Sequence, residues 1–348
     1  MRVLVTGAAG FIGSAICAAL EAAGDQAVRV DLMLPSAHGT AEAPPGTHRL
    51  DVRRAASDRR WAELLDGVDA VCHQAALVGA GVTVADLPSY ASHNDLGTAA
   101  LLAAMAAHGV DRLVLASSMV VYGEGRYRCP DHGPQRPGPR PVAALDAGRF
   151  ENPCPVCGAA LAWAPVPEDA PLEPGSAYAV SKLAQEHYAA AWARQAGGAV
   201  VALRYHNVYG PGMPRDTPYS GVAAMFRSSL ERGEAPQVYE DGRQTRDFVH
   251  VDDVVRANLA ALAAVRSAPA ERTAAYNVAS GHPITIAEVA ALVGTGSGIT
   301  PEITGRYRLG DVRHVVASPE RAAAELGFRA AIAPDAGLPA FSTAPLRA

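Results

Sequence analysis

Short apolar runs, each bounded by a turn, alternate with alanine-rich segments through the first half of the chain. The runs lack polar alternation, which is typical of buried parallel strands, and they occupy residues 3–5, 27–30, 70–73, 113–116 and 200–203. Helical segments lie between them, among them residues 14–23, 98–108 and 177–195. This alternation predicts an α/β fold with a doubly wound parallel sheet and helices on both faces.

The pattern changes after Asn207. Loops follow, with one predicted helix at 222–232 and a strand–helix pair at 246–265. A smaller region closes the chain, and because the last dozen residues are small and polar we expect them to form a loose tail.

Residues 124–166 do not fit the alternation. The segment is rich in Pro, Gly and Arg, contains three of the cysteines and has no clear period. We interpret it as an insertion between a strand and the helix that begins near Ser176. A structureless loop of this length is uncommon in a compact domain, so we expect something to hold it together.

Composition narrows the class of protein. The chain has 348 residues, of which 49% are hydrophobic and 19% charged, so it can bury a core and is neither disordered nor collagen-like. The 30 Lys and Arg residues against 35 Asp and Glu leave a formal charge of −5. No basic surplus favours nucleic-acid binding, so we expect no such partner, and a small-molecule enzyme is the favoured class.

The N-terminal residues predict a strand running into a glycine turn and lack the features of a signal peptide. No uncharged apolar run reaches the roughly 18 residues that a membrane span needs. We therefore expect a soluble cytoplasmic protein with no membrane partner. Five cysteines in such a chain argue against a disulfide framework, and Cys17 and Cys72 are predicted to be buried thiols.

The first strand leads directly into Thr6-Gly7-Ala8-Ala9-Gly10-Phe11-Ile12-Gly13 and then into a helix. Glycines here permit a tight turn, and the helix N-terminus offers free N–H groups to a pyrophosphate. Asp31 ends the second strand, 18 residues beyond Gly13, where a carboxylate would take ribose hydroxyls. No arginine follows Asp31 to neutralise a 2′-phosphate, so NAD is favoured over NADP; a solvated turn residue is the alternative.

A second element is Tyr178-Ala-Val-Ser-Lys182. Residues four apart lie on one face of a helix, so the Lys182 ammonium is expected to lower the pKa of the Tyr178 phenol and make it an acid/base. Alone, this spacing is also common on ordinary surface helices. Ser118, at the end of the strand before the insertion, adds a hydroxyl that could bond the same substrate oxygen.

These residues resemble the extended short-chain dehydrogenase/reductases, specifically the NAD-dependent nucleotide-sugar epimerases and dehydratases. The similar motifs span nearly the whole chain: Asp51-Val52, His73-Gln-Ala-Ala76, Asn94, Leu203-Arg-Tyr-His-Asn-Val-Tyr-Gly-Pro-Gly212, Arg246-Asp-Phe-Val-His-Val-Asp-Asp253, Tyr276-Asn-Val-Ala279 and Gly310-Asp-Val-Arg-His314. The resemblance implies a Rossmann-type NAD-binding domain at 1–207, which contains the insertion and to which 245–278 returns. A smaller nucleotide-sugar-binding lobe would comprise 208–244 and 279–348.

The resemblance also implies roles for individual residues. The cofactor-binding set would be Gly7, Gly10, Phe11, Ile12, Gly13, Asp31, Asp51, Val52, Ala75, Ala76, Asn94, Tyr178 and Lys182. The catalytic set would be Ser118, Tyr178 and Lys182, and the substrate-binding set Ser118, Asn207, Arg246 and Arg308. Two arginines that converge on a diphosphate make charge-assisted contacts, although ordinary surface arginines are the alternative. Homodimers are common in the family, and the alanine-rich faces of 98–108 and 177–195 would allow two copies to pack.

Met119 and Val120 bear on the reaction. Relatives that dehydrate or decarboxylate sugars resemble one another in carrying an acidic residue just after the catalytic hydroxyl, and neither Met119 nor Val120 can transfer a proton. This favours epimerisation at C4 through a transient 4-keto sugar with tightly bound NAD. The alternatives are an NAD(P)H-dependent 4-ketosugar reductase, a less favoured 4,6-dehydratase, and an inactive NAD-binding sensor or scaffold.

The insertion contains Cys129-Pro-Asp-His132 and Cys154-Pro-Val-Cys157, two pairs that each enclose two residues. Such spacing suits tetrahedral zinc, and four protein ligands would leave no open position, so we predict one structural zinc ion. A labile disulfide, free thiols, or a His132 that is not a ligand are the alternatives. Tyr122-Gly-Glu-Gly-Arg-Tyr followed by paired cysteines resembles a subgroup associated with dTDP-L-rhamnose and UDP-glucose 4-epimerases.

Overall fold

The computed structural model describes residues 1–39, 42–79, 83–215 and 221–347. The strands are β1 (Arg2–Thr6), β2 (Gln26–Asp31), β3 (Thr47–Arg49), β4 (Ala70–His73), β5 (Arg112–Ser118), β6 (Arg126–Cys129), β7 (Gly133–Gln135), β8 (Ala162–Ala164), β9 (Ala199–Tyr205), β10 (Asn207–Tyr209), β11 (Gln237–Val238), β12 (Thr245–His250), β13 (Thr273–Val278), β14 (Pro283–Thr285) and β15 (Glu302–Ile303).

The α-helices are α1 (Phe11–Ala22), α2 (Pro35–His38), α3 (Arg59–Leu65), α4 (Leu87–Tyr90), α5 (Gly97–Ala107), α6 (Val142–Asp146), α7 (Ala177–Ala196), α8 (Val222–Glu231), α9 (Val251–Ser267), α10 (Ile286–Val293), α11 (Glu320–Leu326) and α12 (Pro334–Phe341). A π-helix, Ala91–Leu96, joins α4 to α5, and 3₁₀ turns occupy Val52–Arg54, Val84–Asp86 and Met119–Tyr122.

A seven-stranded parallel sheet in the order β3-β2-β1-β4-β5-β9-β13 forms the main body, which confirms the predicted fold class. Helices α1 and α9 cover one face, where Ile16, Leu20 and Leu262 are buried. Helices α3, α5 and α7 cover the other face, where Trp61 and Leu101 are buried. Burial on both faces explains why these strands lack polar alternation.

A smaller lobe is built around the three-stranded sheet β10-β12-β14 and helices α8, α10 and α12. Strand β12 pairs with β10 and β14 rather than with the main sheet, so the chain returns to the main body at α9, six residues later than the predicted 245. The expectation of a loose tail is wrong. Leu338 and Phe341 from α12, with Leu346 beyond it, are buried in this lobe's core because their apolar side chains recur on one helical face.

The insertion folds as a small antiparallel sheet, β7-β6-β8, with the short helix α6 beside it. One buried cluster of the insertion consists of Tyr127, Cys129, Cys154 and Leu161, and Leu145 and Phe150 are also buried. So few apolar side chains do not offset the entropy of ordering about forty residues, so further interactions must stabilise this module. Elsewhere, Cys17 and Cys72 are buried free thiols, as predicted.

Within the described ranges we find no helix with the length and apolar character that crossing a membrane requires.

Two buried histidines make the stability of the fold sensitive to acid. His73 lies between the hydroxyls of Thr6 and Thr98, at 2.7 and 3.0 Å, and burial lowers its pKa to about 3. Burial likewise lowers the pKa of His206 to about 3. Both rings are therefore neutral in the folded protein at pH values where the unfolded chain, with a histidine pKa of about 6.5, already binds protons.

We expect the free energy of unfolding to fall as the pH drops from about 6.5 towards 3, by about 1.4 kcal/mol per pH unit for each histidine. Urea unfolding at pH 7 and pH 5 measures this loss of free energy of unfolding. Because carboxylates also titrate in this interval, the change of the free energy with pH is compared between the wild type and His73→Asn. The variant should lose less free energy over this interval, by about 2 kcal/mol. Equal slopes in the two proteins would contradict the assignment.

Candidate active site

A cleft of about 420 Å³, which we call the first cleft, opens at the carboxyl ends of the parallel strands. It is lined by residues that follow β1, β2, β4, β5 and β9, among them Gly7, Asp31, Ala75, Ser118 and His206. Strands β1 and β4 are neighbours in the sheet. The chain adds β2 and β3 on one side of this pair and β5, β9 and β13 on the other. Ligands of open α/β sheets bind at such a topological switch point.

The glycine turn brings the N-terminus of α1 close to the end of β1. A Cβ atom on Gly13 would lie 2.1 Å from the Gly7 carbonyl oxygen, so only glycine allows this approach. Helix α1 carries no acidic residue in its first turn, and Gly10, Phe11 and Ile12 line the cleft beside its N-terminus. Free N–H groups and the partial positive charge of the helix end suit an anionic group.

Asp31, at the end of β2, is buried and lines the first cleft. Its carboxylate accepts hydrogen bonds from the backbone N–H groups of Ala9 and Met33, at 3.0 and 2.8 Å, and His38 Nε2 lies 3.2 Å away. Burial by itself would raise the pKa of Asp31, but these hydrogen bonds outweigh it and the pKa is lowered. The carboxylate therefore stays ionised and can accept hydrogen bonds from hydroxyl groups of a ligand.

Sequence reasoning missed Arg347, which also lines the first cleft. Its guanidinium donates to the Ala9 carbonyl, and its backbone pairs with the segment at Met213 and Pro214. No arginine directly follows Asp31 in the sequence, but Arg347, near the C-terminal end, reaches the part of the first cleft that Asp31 lines. The apolar residues Leu338, Phe341 and Leu346 are a local signal in the sequence that the tail packs against the rest of the chain.

Asp51, Val52, Ala75 and Ala76 line the first cleft, whereas Asn94 does not. Both carboxylate oxygens of Asp51 accept hydrogen bonds from the Arg53 guanidinium, at 2.6 to 3.0 Å. Asn94 is fully buried, and its amide pairs with the backbone of Leu77 and donates to Ser181 Oγ at 2.8 Å. Asn94 thus fixes the cleft wall after β4 against α7 without itself lining the cleft.

Ser118, Tyr178 and Lys182 come together in the first cleft. Ser118 ends β5, and Tyr178 stands in the first turn of α7, whose N-cap Ser176 accepts a hydrogen bond from Ala179 N. The Ser118 hydroxyl is a neighbour that acts to lower the pKa of the Tyr178 phenol. Lys182 is buried one turn further on, with Nζ 2.9 Å from the Ala116 carbonyl oxygen and 6.0 Å from the centre of the Tyr178 ring.

The expected lowering of the Tyr178 pKa is wrong for this arrangement. Burial raises the pKa of Tyr178 to about 12 despite the opposing effect of Ser118, and burial lowers the pKa of Lys182 to about 7. Desolvation disfavours the charged form of both groups, and the Lys182 ammonium is directed at a backbone carbonyl rather than at the phenol. A positive charge bound in the cleft would lower the phenol's pKa again.

A second cleft, of about 440 Å³, adjoins the first at Asn207 and Val222, which line both. Arg246 and Arg308 also line it, and the Arg308 guanidinium stacks 4.8 Å from the centre of the Tyr239 ring. The Arg246 guanidinium donates to three backbone carbonyls, those of Thr245, Val312 and Arg313, at 2.9, 2.6 and 2.8 Å. Its orientation is therefore fixed, and the cleft presents cationic planes suited to phosphate oxygens.

The structure also brings Cys129, His132, Cys154 and Cys157 together, and we call them the Cys/His cluster. Cys129 Sγ lies 3.5 Å from His132 Nδ1 and 3.8 Å from Cys157 Sγ, and Cys154 Sγ lies 3.9 Å from His132 Nδ1. Zinc with bonds of about 2.3 Å to sulfur and about 2.0 Å to nitrogen has tetrahedral ligand separations of about 3.5 to 3.8 Å. The spacing thus fits zinc and greatly exceeds the S–S bond length of a disulfide, about 2.05 Å.

Comparison with known proteins adds a family and relatives. The sequence matches the model of the NAD dependent epimerase/dehydratase family over residues 3–141 and 156–279. It is 34% identical over 336 residues to the dTDP-L-rhamnose 4-epimerase of Burkholderia thailandensis, an alignment that covers 94% of this chain and 90% of that protein.

Solved structures agree with the sequence comparison. MoeE5 in complex with UDP-glucuronic acid and NAD superposes with a TM-score of 0.75 at 32% identity, covering 97% of this chain and 96% of that one. The UDP-glucose 4-epimerase of Thermus thermophilus, in complex with NAD, gives a TM-score of 0.75 at 31% identity, covering 98% of both chains.

Proposed function

The chain belongs to the NAD-dependent epimerase/dehydratase family, and from that premise we propose that it epimerises a nucleoside-diphosphate sugar at C4. One observation carries the proposal: the Ser118, Tyr178 and Lys182 side chains line the same cleft as the glycine turn, next to a second cleft that is lined by three arginines. Relatives named as 4-epimerases support the choice of C4.

The first cleft suits NAD. The N-terminus of α1 would hold the pyrophosphate, Asp31 the adenosine ribose, and Asp51 with Val52 the adenine side of the cleft. Ala75 and Ala76 would follow the cofactor backbone, and Lys182 would bond the nicotinamide ribose. When bound, NAD supplies the redox chemistry that takes two electrons from the sugar carbon and returns them.

The chain's own residues would transfer the proton of the sugar hydroxyl and bind the phosphates of the substrate. Tyr178 would exchange a proton with the C4 hydroxyl, and Ser118 would hydrogen-bond the same oxygen. Asn207, Arg246 and Arg308 would bind the diphosphate, which leaves the sugar at the junction of the two clefts. Met119 and Val120 supply no second proton donor, which disfavours dehydration.

NMR of a panel of UDP-, dTDP- and GDP-sugars tests the proposal directly. We expect inversion at C4 with only catalytic NAD, and in D₂O no deuterium at C4, because the carbon-bound hydrogen returns without exchanging with solvent. Deuterium incorporation would contradict the C4 route. Stoichiometric consumption of NAD(P)H would identify a 4-ketosugar reductase. A 4-keto-6-deoxy product would identify a dehydratase, and binding of the sugar nucleotide without turnover would identify a sensor.

We also propose that the Cys/His cluster binds one structural zinc ion. Four protein ligands leave no open position for a reacting group, so the ion's role would be to stabilise the small core of the insertion. Analysis of metal content in protein purified without chelators measures it.

A homodimer through α7 is a further part of the proposal. Leu87, Leu96, Val180 and Tyr188 are exposed apolar residues on α4, the π-helix and α7, which pack against one another. Such a patch is costly in water and favours pairing of two copies. Sedimentation equilibrium should give twice the chain mass for the wild type and the chain mass for Val180→Arg; a wild-type monomer at micromolar concentration would contradict pairing.

A further inference from the structure

We propose that the insertion is a positioning element for the second cleft, and that Glu151 is its key residue. In this view metal binding at the Cys/His cluster and nucleoside-diphosphate binding at Arg246 are thermodynamically linked. The inference rests on the proposed function for its ligand class, but it is carried by contacts that the catalytic cleft does not involve.

The insertion holds the chain segment 307–314 through Glu151 and Tyr127. Glu151 Oε1 accepts from Arg313 Nε at 3.1 Å, and Oε2 lies 2.9 Å from His314 Nε2. The Tyr127 hydroxyl accepts from His314 N at 2.9 Å and lies 3.3 Å from the His314 carbonyl oxygen. Gly125, with φ of 86°, packs so closely that a Cβ atom there would lie 2.7 Å from the His314 oxygen. The two backbones are therefore in direct contact.

Helix α6 and its flanks add further contacts to the same segment. Arg140 donates to the Asp311 carbonyl at 2.7 Å and forms an ion pair with Glu240 at 2.8 Å, with both side chains buried. Tyr307 donates from its hydroxyl to Asp146 at 2.6 Å. Segment 307–314 is thus tied to the insertion at both ends and in the middle.

Segment 307–314 supports the Arg246 side chain. Two of the three carbonyls that accept from the Arg246 guanidinium belong to Val312 and Arg313, and Arg308 lies on the same segment. Arg313 is fully buried, and its charge is balanced by Glu151, Glu240 and Asp241. A shift of this segment would therefore move Arg246 and Arg308, two of the three arginines that line the second cleft.

The Cys/His cluster is joined to these contacts by short stretches of chain. Strand β6 carries Tyr127 and, two residues later, Cys129, while Glu151 precedes Cys154 by three residues. Tyr127, Cys129 and Cys154 are also core residues of the insertion. A metal ion that orders the cluster would therefore order Tyr127 and Glu151, and by linkage a bound nucleoside diphosphate would raise the affinity for the metal by the same factor.

The first cleft provides an internal control. Among the residues that the structure describes, none between 124 and 166 lines it. The inference therefore predicts a selective effect: weaker binding of the nucleoside diphosphate with NAD binding unchanged. A merely structural role of the insertion would instead lower both affinities together with the stability of the whole fold.

Calorimetric titration of the full chain with UDP, dTDP and NAD tests this, before and after removal of the metal by a chelator and after restoration with zinc. We expect metal removal to weaken UDP or dTDP binding at least tenfold, reversibly, with NAD affinity within twofold. Glu151→Gln, fully metal-loaded, should raise KM for the sugar nucleotide five- to twentyfold with kcat within threefold. Tyr127→Phe should act in the same direction, and it tests the contact if Glu151→Gln folds poorly.

Glu173→Gln is the matched control, because Glu173 makes an exposed ion pair with Arg136 at the edge of the insertion. It should leave both affinities unchanged. Unchanged nucleoside-diphosphate affinity in metal-loaded Glu151→Gln and Tyr127→Phe would overturn the inference, as would absence of UDP and dTDP binding to the wild type. A wild type that binds these ligands but does not epimerise would refute the proposed function and leave this result intact.

Discussion

Replacing Tyr178 by phenylalanine is expected to reduce kcat for epimerisation by about 10³-fold or more, the range for loss of a general acid/base. The substitution removes one oxygen and keeps the ring, which is half-buried against Tyr90 and beside Lys182. The substitution removes the oxygen that, in the proposed mechanism, would exchange a proton with the C4 hydroxyl. Affinity for NAD, measured by calorimetric titration, should change by less than about 1 kcal/mol, the typical net value of one hydrogen bond.

Tyr188→Phe provides the matched control for this result, since it makes the same chemical change on the exposed face of the same helix. We expect it to retain wild-type kcat and NAD affinity. Ser118→Ala should give an intermediate loss, of about tenfold to 100-fold, because it removes one hydrogen bond to the reacting oxygen. A Tyr178→Phe enzyme with near-wild-type turnover would remove this residue from the mechanism.

Replacing Cys154 by serine should release the metal and unfold the insertion while the main sheet persists. The wild type should contain about one equivalent of zinc, and the Cys154→Ser variant should contain well under half an equivalent. Structural zinc supplies about 10 to 16 kcal/mol to small domains at neutral pH, so loss of one ligand should cost the module at least about 3 kcal/mol. Cleavage within the insertion by a protease under native conditions should then accelerate by about 100-fold, because such cleavage follows the population of the open form.

Cys17→Ala is the control here, because Cys17 is a buried thiol of the main core, remote from the cluster. It should keep full zinc content and wild-type cleavage within the insertion, and any loss of stability should be global. A wild-type protein with less than half an equivalent of zinc, purified without chelators, would contradict the structural metal site.

The sequence was most informative where its signals are local. The Gly7–Gly13 turn, the four-residue spacing of Tyr178 and Lys182, and the paired ligands of the Cys/His cluster each depend on residues that are close along the chain. Helix periodicity and turn chemistry then determine which side chains share a face. The parallel strands were recognisable for the same reason, since burial on both faces leaves a continuous apolar run.

Other features of the site depend on partners far apart in sequence. Arg246 is oriented by the Arg313 carbonyl 67 positions away, Arg313 is paired with Glu151 across 162 positions, and Arg347 meets Ala9 across 338. The raised pKa of Tyr178 is equally a product of packing, because desolvation depends on what surrounds the ring. The ordered tail escaped notice because its few apolar residues acquire a role only when the smaller lobe's sheet lies against them.

The amino-acid sequence by itself determined the alternating α/β architecture, the family, the glycine turn and the pairing of Tyr178 with Lys182, since these follow from backbone periodicity and short-range spacing. Only the tertiary structure decided that Glu151 of the insertion contacts Arg313 and His314, that Asn94 is buried behind the wall of the first cleft, and that an arginine from the tail reaches the part of the cleft near Asp31. Those arrangements arise from long-range packing, in which each contact depends on the whole chain being folded.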